Sequence, residues 1–117
     1  MRSLITLDNK IFSMLSLATK AGKIQSGGFS VEKAVKEKRA LLVIISTDAS
    51  DNTTKMFTNM CKFYEVPLYR FGSKDELGHR IGKGSRSSVA ILDRGFSDRI
   101  QTLLETGGTQ YVKYENS

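Results

Sequence analysis

Hydrophobic positions along the chain change their period several times, and each change marks a predicted element. Ile11, Phe12, Leu15 and Ala18 recur at helical spacing and predict an amphipathic helix over about 9–21, with Asp8 placed to cap its start and Gly22 to close its end. A short extended piece, Lys23-Ile24-Gln25, follows. Ser26 then stands as the predicted N-cap of a second helix, whose inner face is Val31, Ala34 and Val35 and whose Lys33 and Lys36 lie off that face. Leu41-Leu42-Val43-Ile44-Ile45 is a continuous apolar run of strand length, the signature of a central strand covered on both faces.

The polar stretch from Asp48 to Thr54 can cap a third helix, along which Met56, Phe57, Met60, Cys61 and Tyr64 recur at helical spacing; Met56, Met60 and Cys61 read as core residues. Pro67 opens a strand, Leu68 to Phe71. Ser73 and Glu76, three apart, form a capping-box pattern that starts a short helix through Leu77 and Ile81, ended by Gly82. After the loop Lys83-Gly84-Ser85-Arg86-Ser87 come a strand, Val89 to Leu92, and a last helix carrying Phe96, Ile100, Leu103 and Leu104 that stops before Gly107-Gly108.

Helices and strands thus alternate without an internal repeat or linker. The expected fold is α/β, a three-layer α-β-α sandwich around a small four-stranded mixed sheet that is largely parallel through its last three strands. One domain over 1–108 and a loosely held polar tail over 109–117 complete the expectation.

Composition sharpens this picture in two ways. At 117 residues, 39% hydrophobic and 26% charged, the chain is of ordinary globular make-up and long enough for one core without staples. It has no apolar run of membrane-spanning length, and MRSLITLDNK turns polar too soon for a signal peptide, so a cytoplasmic protein with no membrane contact is expected. Charge adds a direction: Lys plus Arg exceed Asp plus Glu by 18 to 12, for a net charge of +6, which favours a polyanionic partner. Residues 1–40 hold eight basic and three acidic side chains, residues 41–76 four and five, and residues 77–117 six and four.

Catalytic and metal constellations are not apparent. Cys61 and His79 are each the sole residue of their type, too few for a disulfide or a structural zinc site. The stretch GHRIGKGS, residues 78–85, imitates a phosphate loop, but its glycine spacing is wrong and it closes a helix and leads into a strand, the reverse of the required setting. His79, between Gly78 and Arg80 on a polar helix, reads as a surface histidine, and Asp75-Glu76 as charge in a helix's first turn. No cofactor, metal or small-molecule substrate is expected.

Two basic, glycine-bearing loops remain. Ser26-Gly27-Gly28 at the start of the second helix can bring a phosphate backbone close to unpaired N–H groups, with Lys33 and Lys36 following. Arg80, Lys83 and Arg86 cluster on the glycine-serine loop after the fourth helix.

The stretches GKIQSGGFSVEKAVKEKRALLVIISTDAS, SKDELGHRIGK and SSVAILDRGF resemble the ribosomal protein L7Ae family, particularly its bacterial YlxQ-like branch, over about residues 9–104. The resemblance rests on Ser26-Gly27 with Lys33-Ala34-Val35, on Leu42 to Ile45 with Asp48-Ala49, and on Glu76-Leu77-Gly78 with Gly82. It implies an α-β-α fold that binds RNA, typically the sharply bent kink-turn with its tandem sheared G·A pairs, through the same two loops. On this resemblance Gly27, Gly28 and Lys33 lie along the bent backbone, and Lys83, Gly84, Ser85, Arg86 and Ser87 near the nucleotide that swings out. Many members carry Asn-Glu just after the glycine of the second helix to contact the G·A pairs; this chain has Phe29 and Ser30 there. Phe29 could stack on an unpaired base or pack beneath the turn.

The expected function is non-catalytic binding of structured RNA, ribosomal or messenger, with the ribosome as a further partner. Lys20, Lys23, Lys33, Lys36, Lys83 and Arg86 would attract phosphates, and Gly27-Gly28 would permit close approach. Related domains hold RNA for ribose methyltransferases, but this chain lacks the length for an attached catalytic domain. The alternative is a protein-protein interaction module of the same fold, supported by the Phe29-Ser30 departure.

Overall fold

The computed structural model describes the backbone of residues 2–107 and 112–113 and the side chains of residues 7–107. In chain order its elements are α1 (Arg2–Lys20), β1 (Ile24–Ser26), α2 (Gly28–Lys36), β2 (Leu42–Ile45), α3 (Asp51–Tyr64), β3 (Leu68–Arg70), α4 (Lys74–Arg80), β4 (Ser88–Ile91), α5 (Arg94–Thr106) and β5 (Val112–Lys113). The sheet order is β1-β4-β2-β3-β5. The four expected strands are present, and two residues of the polar tail join them as a fifth, pairing Val112 with Arg70 and Lys113 with Tyr69.

Side chains alternate across β2 and so divide the core in two. Leu42 and Ile44 join Ile11, Leu15, Leu77, Ile100 and Leu104 on the face covered by α1, α4 and α5. Val43 and Ile45 join Val31, Ala34, Val35, Phe57 and Cys61 on the face covered by α2 and α3. All four residues of β2 are fully buried, as a strand covered on both sides requires. Burying a residue such as Phe57 or Leu15 in either layer contributes roughly 1.5–3 kcal/mol before entropy is counted.

Among the described strands only β2 and β3 run parallel, with Val43 opposite Leu68; β4 is antiparallel to both β1 and β2, so the expected parallel run through the last three strands is corrected. A parallel return needs a crossover as long as the strands it spans. The segment after β3 instead doubles back: the Arg86 N–H donates to the Lys74 carbonyl at 2.9 Å, so the loop after α4 ends beside the residue where α4 began. β4 therefore starts at the carboxyl end of β2, where Ser46 N–H donates to Ser87 carbonyl at 2.9 Å.

Caps fall largely as their chemistry dictates. Ser50 accepts from Thr53 N–H ahead of α3, Ser73 and Glu76 form a complete capping box on α4, and Asp93 accepts from Phe96 N–H on α5. Asp8 is an exception: α1 begins at Arg2, because Leu4 and Leu7 continue the spacing of Ile11, and Asp8 lies within the helix rather than at its cap. There, burial and then the charge of Glu76 push its carboxyl above the usual range.

Candidate functional site

The start of α2 and the loop after α4 meet at one end of the sheet. Ser26, the last residue of β1, pairs with Val89, and Gly27 N–H donates to Ser88 carbonyl at 3.0 Å, which joins the α2 entrance directly to the start of β4. The N-cap of α2 is Gly27, not Ser26, and no side chain caps the helix. At φ 92° and ψ 154° Gly27 occupies backbone space that side chains strongly disfavour. The Ser26 hydroxyl is thereby released from capping and accepts instead from Arg86 Nε at 3.2 Å.

Arg86 is the bridge between the two loops. Its Nη1 donates to the Ser85 carbonyl at 2.9 Å, which fixes the guanidinium plane while Nη2 has no partner among the described residues. Ser85 in turn donates from its hydroxyl to the Asp75 carboxylate in the first turn of α4. Asp48, past the end of β2, accepts from Lys74 N–H at 3.0 Å. Burial alone would raise the Asp48 carboxyl, but the hydrogen bond from Lys74 N–H, with the charge of Lys74, holds it below the usual range. The loop is thus pinned to α4, and α4 to β2.

Between the loops lies an open groove of about 510 Å³, lined by Ser26 to Ser30, by Ser85 to Ser88, and by Thr53, Met56 and Phe57 of α3. The α3 wall escaped sequence reading. Met56, expected in the core, is 39% exposed at the groove, whereas its neighbour Phe57 on the same helix is fully buried. Phe29 is 80% exposed and so does not pack beneath the turn. Lys33 follows it by one helical turn on the same outward side of α2.

The other expected contacts are spread differently. Lys83, Gly84 and Ser85 are exposed on the loop, while Ser87 is half-buried on the groove wall. Lys33 and Lys36 stand in the last turn of α2, and Lys36 pairs with Glu32 at 2.7 Å, whose hydrogen bond and charge hold the ammonium more firmly protonated. Lys23 stands at the opposite end of β1 from Gly27, where its carbonyl accepts from Leu92 N–H at 2.9 Å, and Lys20 ends α1 just before it. Neither lines the groove. His79 is exposed, and Cys61 is buried with its thiol pushed up to about 12 by desolvation.

The profile of the ribosomal protein L7Ae/L30e/S12e/Gadd45 family matches residues 9–101. An RNA-binding protein YlxQ of Bacillus subtilis is 42% identical over 94 residues, covering 80% of this chain and 94% of its own length. The large ribosomal subunit protein eL8 of Picrophilus torridus is 30% identical over 94 residues, covering 80% of this chain and 74% of its own. Among solved structures, a Bacillus halodurans protein of unknown function superimposes with a TM-score of 0.79 at 35% identity, covering 82% of this chain and 97% of that one.

Proposed function

Since the chain belongs to the ribosomal protein L7Ae/L30e/S12e/Gadd45 family, we propose that it is a non-catalytic binder of structured RNA, with a kink-turn or a similarly bent element of ribosomal or messenger RNA in the groove between α2 and the loop after α4. The observation that carries this reading is the bridge from Arg86 to Ser26, which holds two glycine-bearing loops as the facing walls of one groove. A straight duplex meets one wall at a time; a sharply bent backbone can meet both. Gly27 and Gly28 leave the N–H groups of the α2 entrance open to phosphate, Arg86 supplies charge, and exposed Phe29 offers a face for an unpaired base. The names of the relatives from Bacillus subtilis and Picrophilus torridus support RNA as the partner and a ribosomal setting, hence the cytoplasm.

Titration of the protein against a kink-turn RNA and a straight duplex of equal length, at one fixed salt concentration, tests the reading. The kinked RNA is expected to bind more tightly, and Arg86→Ala to remove most of that preference. Equal binding to both RNAs would defeat the bent-RNA assignment. No binding to either would favour a protein-interaction module, for which Phe29, exposed where many relatives place a polar residue, is the specific argument.

A further inference from the structure

Lys33 stands one turn from Phe29 at the first groove, but the cations that follow it lie toward the far end of α2 and beyond. Among the described residues Arg86 alone of those lining that groove is charged. The nine residues of α2 carry the chain about 13 Å away before Lys36, Lys38 and Arg39 occur, beside the amino end of β2. There a second open groove, of about 590 Å³, runs between α3 and α5, its walls including Lys38, Phe63, Tyr64, Glu65, Arg94 and Gln101.

Three independent features mark this groove. Its charged lining is Lys38 and Arg94 against Glu65, a net +1 at the groove itself. Phe63 is 78% exposed, set edge-on against Tyr64 with ring centroids 4.9 Å apart, so one aromatic face is held out to solvent by the other. Lys38 and Glu65 both have left-handed backbone, at φ 61° and 59°, where glycine is the undemanding choice; charged side chains occupy positions on the groove wall that the backbone disfavours.

We propose that this groove is a second RNA contact, taking an unpaired, single-stranded segment that flanks the structured element, with a base stacked on Phe63 and phosphates against Lys38 and Arg94. Aromatic faces interleaved with cations are the means by which proteins hold single strands without reading their sequence. Charge complementarity selects a polyanion over an apolar peptide. The inference rests on the RNA-binding reading of the first groove. The two are separable, because they lie at opposite ends of β2: Leu41 lines this one, and Ser87, bonded to Ser46, lines the other.

The test uses the full chain and two RNAs, a kink-turn without flanks and the same kink-turn with about twelve unpaired uridines on one end or the other. Such a strand spans roughly 40 Å even at duplex spacing, enough to cross a molecule 36 Å in its longest dimension. The extension should tighten binding about five-fold or more at one of the two ends. Phe63→Ala, and separately Lys38→Gly with Arg94→Gln, should abolish that gain while leaving the unextended RNA bound as before. Lys38→Gly suits the left-handed backbone, so its effect does not arise from misfolding. A kink-turn that binds with no gain from either extension, or a gain that survives both variants, overturns the second contact and leaves the first intact. Failure of every RNA to bind overturns both.

Discussion

A β-carbon built on Gly78 would lie 1.8 Å from the carbonyl oxygen of Gly84, so the loop after α4 rests directly on the helix it leaves. This approach permits the chain to double back and deliver Arg86 to Ser26. The obstacle is backbone, which cannot swing aside as a long side chain can. Gly78→Ala is therefore expected to destabilise the fold by about 1–3 kcal/mol or more. Because it displaces the loop, it should also weaken RNA binding by more than the lost stability accounts for. Chemical denaturation gives the first quantity, and titration at a temperature where the variant is fully folded gives the second. An Ala variant with unchanged stability would mean that the loop does not pack on α4 in solution.

Phe29 and Ser30 are expected to limit discrimination of sheared G·A pairs. The double change Phe29→Asn, Ser30→Glu should raise affinity for a kink-turn relative to a straight duplex, each base contact contributing on the order of 1 kcal/mol. The added carboxylate repels phosphate, so affinity for the straight duplex should fall. If the unaltered chain already discriminates as well as the double mutant, Phe29 and Ser30 are competent readers as they stand.

Lys33 and Lys36 share a helix but not a situation. Lys36 is engaged by Glu32 and Lys33 is exposed one turn beyond Phe29. Lys33→Ala should make the slope of log affinity against log salt shallower by roughly one phosphate contact. Lys36→Ala should change it less. Equal changes would show that RNA draws Lys36 away from Glu32, and unchanged slopes for Lys33→Ala, Lys36→Ala and Lys83→Ala combined would place the phosphate contacts elsewhere.

Cys61 is expected to be chemically silent in the native protein. Burial raises its thiol from 9.0 to about 12, so almost no thiolate exists at neutral pH, and the residue is 2% exposed. A thiol reagent should react at a rate set by unfolding and become fast only in denaturant. The same shift has a pH consequence. From pH 9 upward the unfolded chain releases this proton while the native chain keeps it, so the contribution to stability is complete below about pH 9 and declines toward pH 12. Cys61→Ala should flatten that part of the stability profile; an unaltered profile would assign the decline to other groups.

The sequence by itself determined which segments are helices and strands, because hydrophobic period and capping chemistry are local. The face of Val31, Ala34 and Val35, the Ser73-Glu76 capping box and the four-residue core of β2 all lie within short windows, and each appears in the fold where the pattern put it. The sequence also singled out both loops that line the first groove, since glycine, serine and arginine report backbone freedom and charge wherever they stand. Direction and adjacency required the tertiary structure. The antiparallel course of β4 follows from the contact of Gly78 with Gly84, residues whose closeness leaves no period to read. The pairing of Arg86 with Ser26 joins positions far apart in the chain. Met56 obeys the core spacing of α3, yet it lines the groove while Phe57 beside it is buried, and the basic excess of the first forty residues divides between two ends of the molecule because α2 has a length. Such outcomes depend on where elements end relative to one another, a property of packing that no single segment encodes.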